Sequence, residues 1–176
     1  STLDEIKRSV SPNELLITNG STPLALAGIM GGLESAVSDE TKTILIESAY
    51  FNAATIRKSA KSLGMSTDAS KRFERGADPN ASEIAFWRVI KLIEELSIGE
   101  WVPGLVDPYP KKLLTPKITL TREKLDILSG IIIKDKFIND ILTKIGCKVI
   151  STAKNKWNCT VPSWRPDLER EVDLIE

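Results

Sequence analysis

Histidine is absent from this chain, which removes the commonest general base, nucleophile activator and zinc ligand from any chemistry assigned to it. Carboxylates, hydroxyls, backbone groups or the substrate itself must carry whatever reaction takes place. Cysteine is scarce. Cys147 and Cys159 are too few for a secreted disulfide framework and lack zinc-site spacing, so both read as buried thiols of a reducing cytosol. Net charge is absent too: Lys+Arg number 24 against 24 Asp+Glu, so no overall field draws the molecule onto nucleic acid or an anionic membrane. Any RNA contact must be local or shared with a partner. No apolar run approaches the roughly 18 residues of a membrane span, and the N-terminus lacks the apolar core of a signal peptide. A cytoplasmic protein with no membrane contact is expected. Internal repeats and low-complexity tracts are missing as well.

What is present is the composition of a globular protein: 176 residues, 41% hydrophobic and 27% charged, enough for one ordinary domain or two small ones. Both ends read as cut from something longer, since the chain starts at Ser1 and stops inside an apparent helix at Glu176.

Glu14 to Gly20 reads as a strand entering an Asn-Gly turn, and Pro23 to Ala27 as its return, a hairpin. Lys42 to Ala49 is expected to be a further strand, with Ile44 and Ile46 on one face and Thr43, Leu45 and Glu47 on the other. Ala53 to Leu63 has helical spacing and stops at Gly64, and a short helix through Ser70 to Arg75 stops at Gly76. Pro79 opens a long helix with Ile84, Trp87, Ile90, Leu92, Ile93 and Leu96 at helical intervals. The segment PGLVDPYPKKLLTPK, with four prolines, excludes helix or central strand and marks a domain boundary, placed between residues 108 and 109. Beyond it the pattern predicts a strand at Lys117 to Leu120, helices at Thr121 to Leu128 and Lys134 to Ile145, and strands at Lys148 to Ser151 and Lys156 to Val161. The fold class expected is α+β: a mixed sheet with packed helices over 1–108, truncated at its N-terminus, then a small winged-helix-like domain over 109–176.

Gly28, Gly31 and Gly32 lie where backbone amides can approach a ligand, although their spacing reads first as a plain strand-to-loop turn. Glu47 is sharper: a carboxylate beside leucine on an apolar strand either opens onto a pocket, where it accepts a ligand hydrogen bond, or forms an edge salt bridge. Thr67, Asp68, Ala69 and Ser70 form a turn at a helix start, with Thr67 or Asp68 as its cap and small side chains that leave room for a ligand. Lys71, Arg72 and Arg75 read as a solvated face before they read as a phosphate clamp. Asp167, Asp173 and Glu176 are three hard oxygen ligands that can meet one cation, or else a cap and helix-dipole acids. Trp164 either stacks on a base or anchors a core.

The runs GIMGG, IESAYF and above all TDASKRFERGADP resemble the editing domain of the bacterial phenylalanyl-tRNA synthetase β subunit. ITLTREKLDILSG, IGCKV and VPSWRPDLEREVDLIE resemble the small domain that follows it there. The resemblance runs from about Asn19 to Glu176 and implies proofreading: a site shaped for an apolar ring rejects the added hydroxyl of tyrosine only weakly, so a second site hydrolyses the wrong ester. It implies that Glu47 accepts the tyrosine para-hydroxyl, that Gly31 helps hold the same end, and that Thr67 and Ala69 line the pocket. No side chain is assigned a catalytic role; a positioned water, assisted by the terminal ribose hydroxyl, is expected. It further implies magnesium on Asp167, Asp173 and Glu176, ATP as substrate of the parent ligase, and as partners tRNA(Phe) and the α subunit in a heterotetramer of two α and two β chains. A non-catalytic RNA-binding or subunit-interface module is the alternative.

Overall fold

The computed structural model describes residues 1–153 and 155–176, with side-chain surroundings given outside 151–154. Two compact units separate at the proline-rich segment, Ser1–Pro103 and Gly104–Glu176.

In the first unit β1 (Leu16–Thr18), β2 (Pro23–Leu26) and β3 (Met30–Gly31) form one sheet in that order. Asn19 closes the β1–β2 hairpin, its side-chain oxygen accepting from the Thr22 amide (2.9 Å) while Gly20 takes φ 104°. The sheet expected as mixed is antiparallel in its described pairs, because connections of four and three residues cannot carry a parallel crossover. Helices α1 (Ala53–Ser62), α2 (Asp68–Phe73) and α3 (Ala81–Glu95) follow. Asn52 caps α1, accepting from the Thr55 amide, and Gly64 at φ 63° ends it. The core gathers Leu26, Ala27, Ile29, Phe51, Ile56 and Ala60, with Phe73 packed against it and edge-on to Phe51.

One expected strand is missing from this unit. Lys42 to Ala49 is not a strand. It pairs with neither edge of the sheet and, among the described residues, makes no backbone hydrogen bond to another segment. With no ladder partner, alternation alone cannot hold an extended segment, and Leu45 is 99% exposed. The long helix expected after Pro79 is α3, on which Phe86 and Ile90 are buried, whereas Ile84, Trp87 and Leu96 face solvent.

The second unit comprises β4 (Lys117–Thr121), α4 (Arg122–Ser129), α5 (Asp135–Lys144), β5 (Lys148–Ala153) and β6 (Lys156–Thr160), with sheet order β4-β6-β5, all antiparallel. Alternation is clean: Ile118 and Leu120 on β4 and Trp157 and Cys159 on β6 point inward, where α4 adds Leu125 and α5 adds Ile138 and Leu142. Thr121 caps α4 through the Lys124 amide (3.4 Å) and also bonds Glu171 (2.6 Å). Arg122 reaches the Ile133 carbonyl (2.6 Å), Asp126 and Asp135, and lies over the Trp157 ring. Both thiols are buried, and burial pushes Cys159 up to about 11.

The C-terminal helix reduces to one 3-10 turn, Glu171–Leu174. The Asp173 carboxylate accepts from the Glu169 (3.0 Å) and Arg170 (2.7 Å) amides, a local bond that competes with an earlier helical start. Trp164 does not anchor the core. It is 59% exposed, with its ring edge over Gly146.

Candidate functional site

The site is built from four segments of the first unit that meet around one open cleft. Between β2 and β3 the chain turns at Gly28 with φ 65°, and a Cβ there would lie 3.0 Å from Phe51, 3.1 Å from Ile56 and 3.2 Å from Phe73. Glycine therefore serves both the turn and the close packing of its three neighbours. Gly32 is constrained differently: its amide donates to the Leu24 carbonyl at 2.7 Å, and an added Cβ would sit 2.5 Å from that same oxygen. Gly31, on β3 opposite Ala25, passes its carbonyl to the Leu3 amide (3.0 Å) and would bring a Cβ only against the Leu3 side chain.

Across from this turn stands the start of α2. Thr67 caps the helix by accepting from the Ser70 amide (3.0 Å), and Ser70 returns the bond to the Thr67 amide (2.9 Å). The same Thr67 hydroxyl donates to the Ile29 carbonyl at 2.7 Å. One side chain thus ends a helix and ties it to the β2–β3 turn. Ala69, the second residue of α2, contributes only a methyl group, and Phe73, four residues on, lies on the same face.

Glu47 comes from the extended segment, which is pinned where the Ser48 hydroxyl donates to the Ser82 carbonyl at the start of α3 (2.7 Å). The residue lies at the rim and is exposed overall. Its carboxyl is still withdrawn enough from water that desolvation raises its pKa. Gly31, Glu47, Thr67 and Ala69 all line this cleft of about 700 Å³, together with Gly28 and Phe73. The four residues thus line one cleft, with Glu47 a rim carboxylate and not a buried one. Asp78 also lines the cleft and escaped the sequence reading. The signal was available in GADP, where an aspartate before proline turns the chain, and its carboxylate accepts from the Asn80 amide (2.9 Å). No lysine or arginine lines the cleft among the described residues. An apolar floor with acidic walls suits a ligand that carries an aromatic body and donates hydrogen bonds.

The three acids near the C-terminus are not gathered in this way. Asp167 is clamped by Arg165 (2.8 and 2.6 Å), whose guanidinium holds the carboxyl below its usual range. Asp173 caps the 3-10 turn, and the two amides it accepts lower its pKa. Glu176 stands exposed at the chain's last position. Among the described residues no three histidine, cysteine, aspartate or glutamate side chains form a metal-holding group. The donor set as arranged does not fit magnesium, and no chemistry is routed through it.

Residues 1–98 match the family model described as the B3/4 domain, and residues 118–176 match that of the tRNA synthetase B5 domain. Among curated proteins, the chain is similar to those described as phenylalanine–tRNA ligase beta subunits in Nitratidesulfovibrio vulgaris and Thermotoga maritima, 41% identical over 175 and 174 residues. It is also similar to the one in Syntrophus aciditrophicus, 44% identical over 179 residues. Each match takes in 99% of this chain and 22% of the relative, so the chain spans about a fifth of the length of these proteins.

Proposed function

The chain belongs to the family of the phenylalanine–tRNA ligase β subunit, with its B3/4 and B5 domains in order, and from that premise we propose that the first unit clears tyrosine mischarged onto tRNA(Phe). The reading gives the cleft the tyrosyl group of the ester. Glu47 accepts the para-hydroxyl, the β2–β3 turn with Gly31 flanks that end, and Thr67 and Ala69 bound the ring. The observation that carries it is the placement of the Glu47 carboxyl, partly withdrawn from water, at the rim of the one cleft that Gly31, Thr67 and Ala69 also line. Phenylalanine would leave this acceptor without a donor. An unpaired polar group costs about 1–3 kcal/mol, and a rim position argues for the lower end, or about fivefold in rate.

Hydrolysis adds water across the ester: its oxygen bonds the carbonyl carbon, the bond to the ribose oxygen breaks, and that oxygen leaves with a proton. No side chain of the chain is assigned to the transfer; the water is held by the site and the neighbouring ribose hydroxyl. In the same reading the whole ligase uses ATP, pairs two β with two α subunits, and divides this chain near residue 108 into editing and winged-helix-like parts. Magnesium, which the acids of the second unit do not fit as arranged, is left without a residue here.

The test is Glu47→Ala in the assembled α2β2 ligase. Hydrolysis of tyrosyl-tRNA(Phe) falls at least fivefold while phenylalanylation is unchanged; undiminished hydrolysis removes the assignment. For the second unit, an interface role is favoured by exposed Ile127, Ile132 and Phe137 on and between α4 and α5.

A further inference from the structure

The chain as a whole is neutral, yet its charge is unevenly placed. Between Ala53 and Arg75, the cations Arg57, Lys58, Lys61, Lys71, Arg72 and Arg75 face only the acids Asp68 and Glu74. All six cations are exposed, and among the described residues none enters a salt bridge. Five of them sit on two helices that touch, and Arg75 follows the second. Arg57 on α1 donates to the Glu74 carbonyl at the end of α2 (2.6 Å), which sets the α1 cations beside those of α2. On α1, positions 57, 58 and 61 share a face; Lys71 and Arg72 lie side by side on α2, on a flank adjoining the Ala69–Phe73 face that lines the cleft, and Arg75 follows just past the helix's C-cap Glu74.

We propose that this paired-helix patch holds the phosphodiester backbone of an RNA strand whose end enters the cleft, an inference that rests on the editing reading above. Charge complementarity is the first reason: exposed cations outside any described salt bridge release counterions on meeting phosphates, and here they cluster in a protein of zero net charge. Proximity is the second. A helix is about 10–12 Å across, so a strand ending in the cleft crosses the basic flank within a few nucleotides. The surface also excludes the other polyanion. A membrane-binding helix needs apolar side chains to insert, and between Leu45 and Ile84 no large hydrophobic residue is exposed. With no exposed aromatic ring to stack on bases, the patch reads charge and position, not sequence.

The experiment titrates an acceptor-stem minihelix RNA ending in CCA against the chain by fluorescence anisotropy, over a range of salt. Lys71→Gln/Arg72→Gln/Arg75→Gln weakens binding by roughly tenfold or more at low salt and makes the salt slope shallower by about 2 to 3, while Arg72→Lys/Arg75→Lys restores most of both. Arg88→Gln/Lys91→Gln on α3 serves as the control, and equal loss there, or an unchanged slope in the triple variant, overturns the proposal. Tyrosinamide binding is measured on the same variants. Retained tyrosinamide binding with lost RNA binding supports the patch as a separate backbone surface. Failure of the cleft to take tyrosinamide, with the RNA result intact, strikes the editing reading and leaves the patch standing.

Discussion

Two adjacent glycines allow the geometry of the cleft to be tested without any ligand. In Gly32→Ala the new Cβ would stand 2.5 Å from the Leu24 carbonyl oxygen, a backbone atom in the middle of β2. The strand must move to admit it. That oxygen accepts two bonds, from the Gly32 amide at 2.7 Å and from the Ser35 hydroxyl at 2.7 Å. Moving the strand by the required half-ångström or more weakens both, at about 0.5–1.5 kcal/mol each, so a loss of about 1–3 kcal/mol is expected. In Gly31→Ala the nearest atom is the Leu3 Cδ1 at 3.1 Å, the end of a side chain that is 52% exposed and free to swing. Its cost is offset by the reduced freedom of the unfolded chain, about 0.4–1 kcal/mol, which leaves Gly31→Ala near neutral. Hydrogen exchange of the peptide spanning Leu16 to Gly32 reads the difference directly, because a loss of about 1.4 kcal/mol speeds its opening about tenfold. Equal protection in the two variants, or greater loss at Gly31, would show that the turn does not sit against β2 as described.

Tyrosinamide binding should depend on pH through Glu47. A raised pKa means that the carboxylate, the stronger acceptor for a phenol, is lost on acidification at a higher pH than the ordinary glutamate value of about 4.3. Binding is therefore full well above that raised value and falls as pH drops through it. A Glu47→Gln variant should give a flat profile by calorimetry, and a wild-type profile equally flat would contradict the role. Thr67→Val removes the α2 cap and the bond to Ile29 together, for about 1–3 kcal/mol, whereas Thr67→Ser keeps both and stays within about 0.5 kcal/mol. Exchange of the Ser70 amide distinguishes them, and equal exchange in both variants would deny Thr67 its double role.

The elements that could be read in advance are those whose signal is local. Asn19-Gly20 closes a hairpin because its own side chain and a positive φ make the turn, and Gly64 ends α1 for the same reason. The two-residue alternation of β4 and β6 was equally plain, since each strand has a partner and one buried face. Lys42 to Ala49 carries the same alternation and forms no strand, because pairing is a property of the neighbours and not of the segment. Phe86 and Ile90 separate from Ile84 and Leu96 on α3 only through what packs against each side.

For the site, the sequence alone determined which residue types are present: glycines able to turn tightly, a carboxylate out of place, a capping threonine and a small neighbour. It also determined the family, since TDASKRFERGADP is specific in a way that no composition is. Only the tertiary structure decided that Gly31, Glu47, Thr67 and Ala69 face one cleft, that Asp78 joins them, and that Asp167 and Asp173 are taken up by Arg165 and by backbone amides. The physical reason is that a side chain's chemistry is set by whatever lies within a few ångströms of it. For Thr67 that includes Ile29, which stands 38 residues away along the chain.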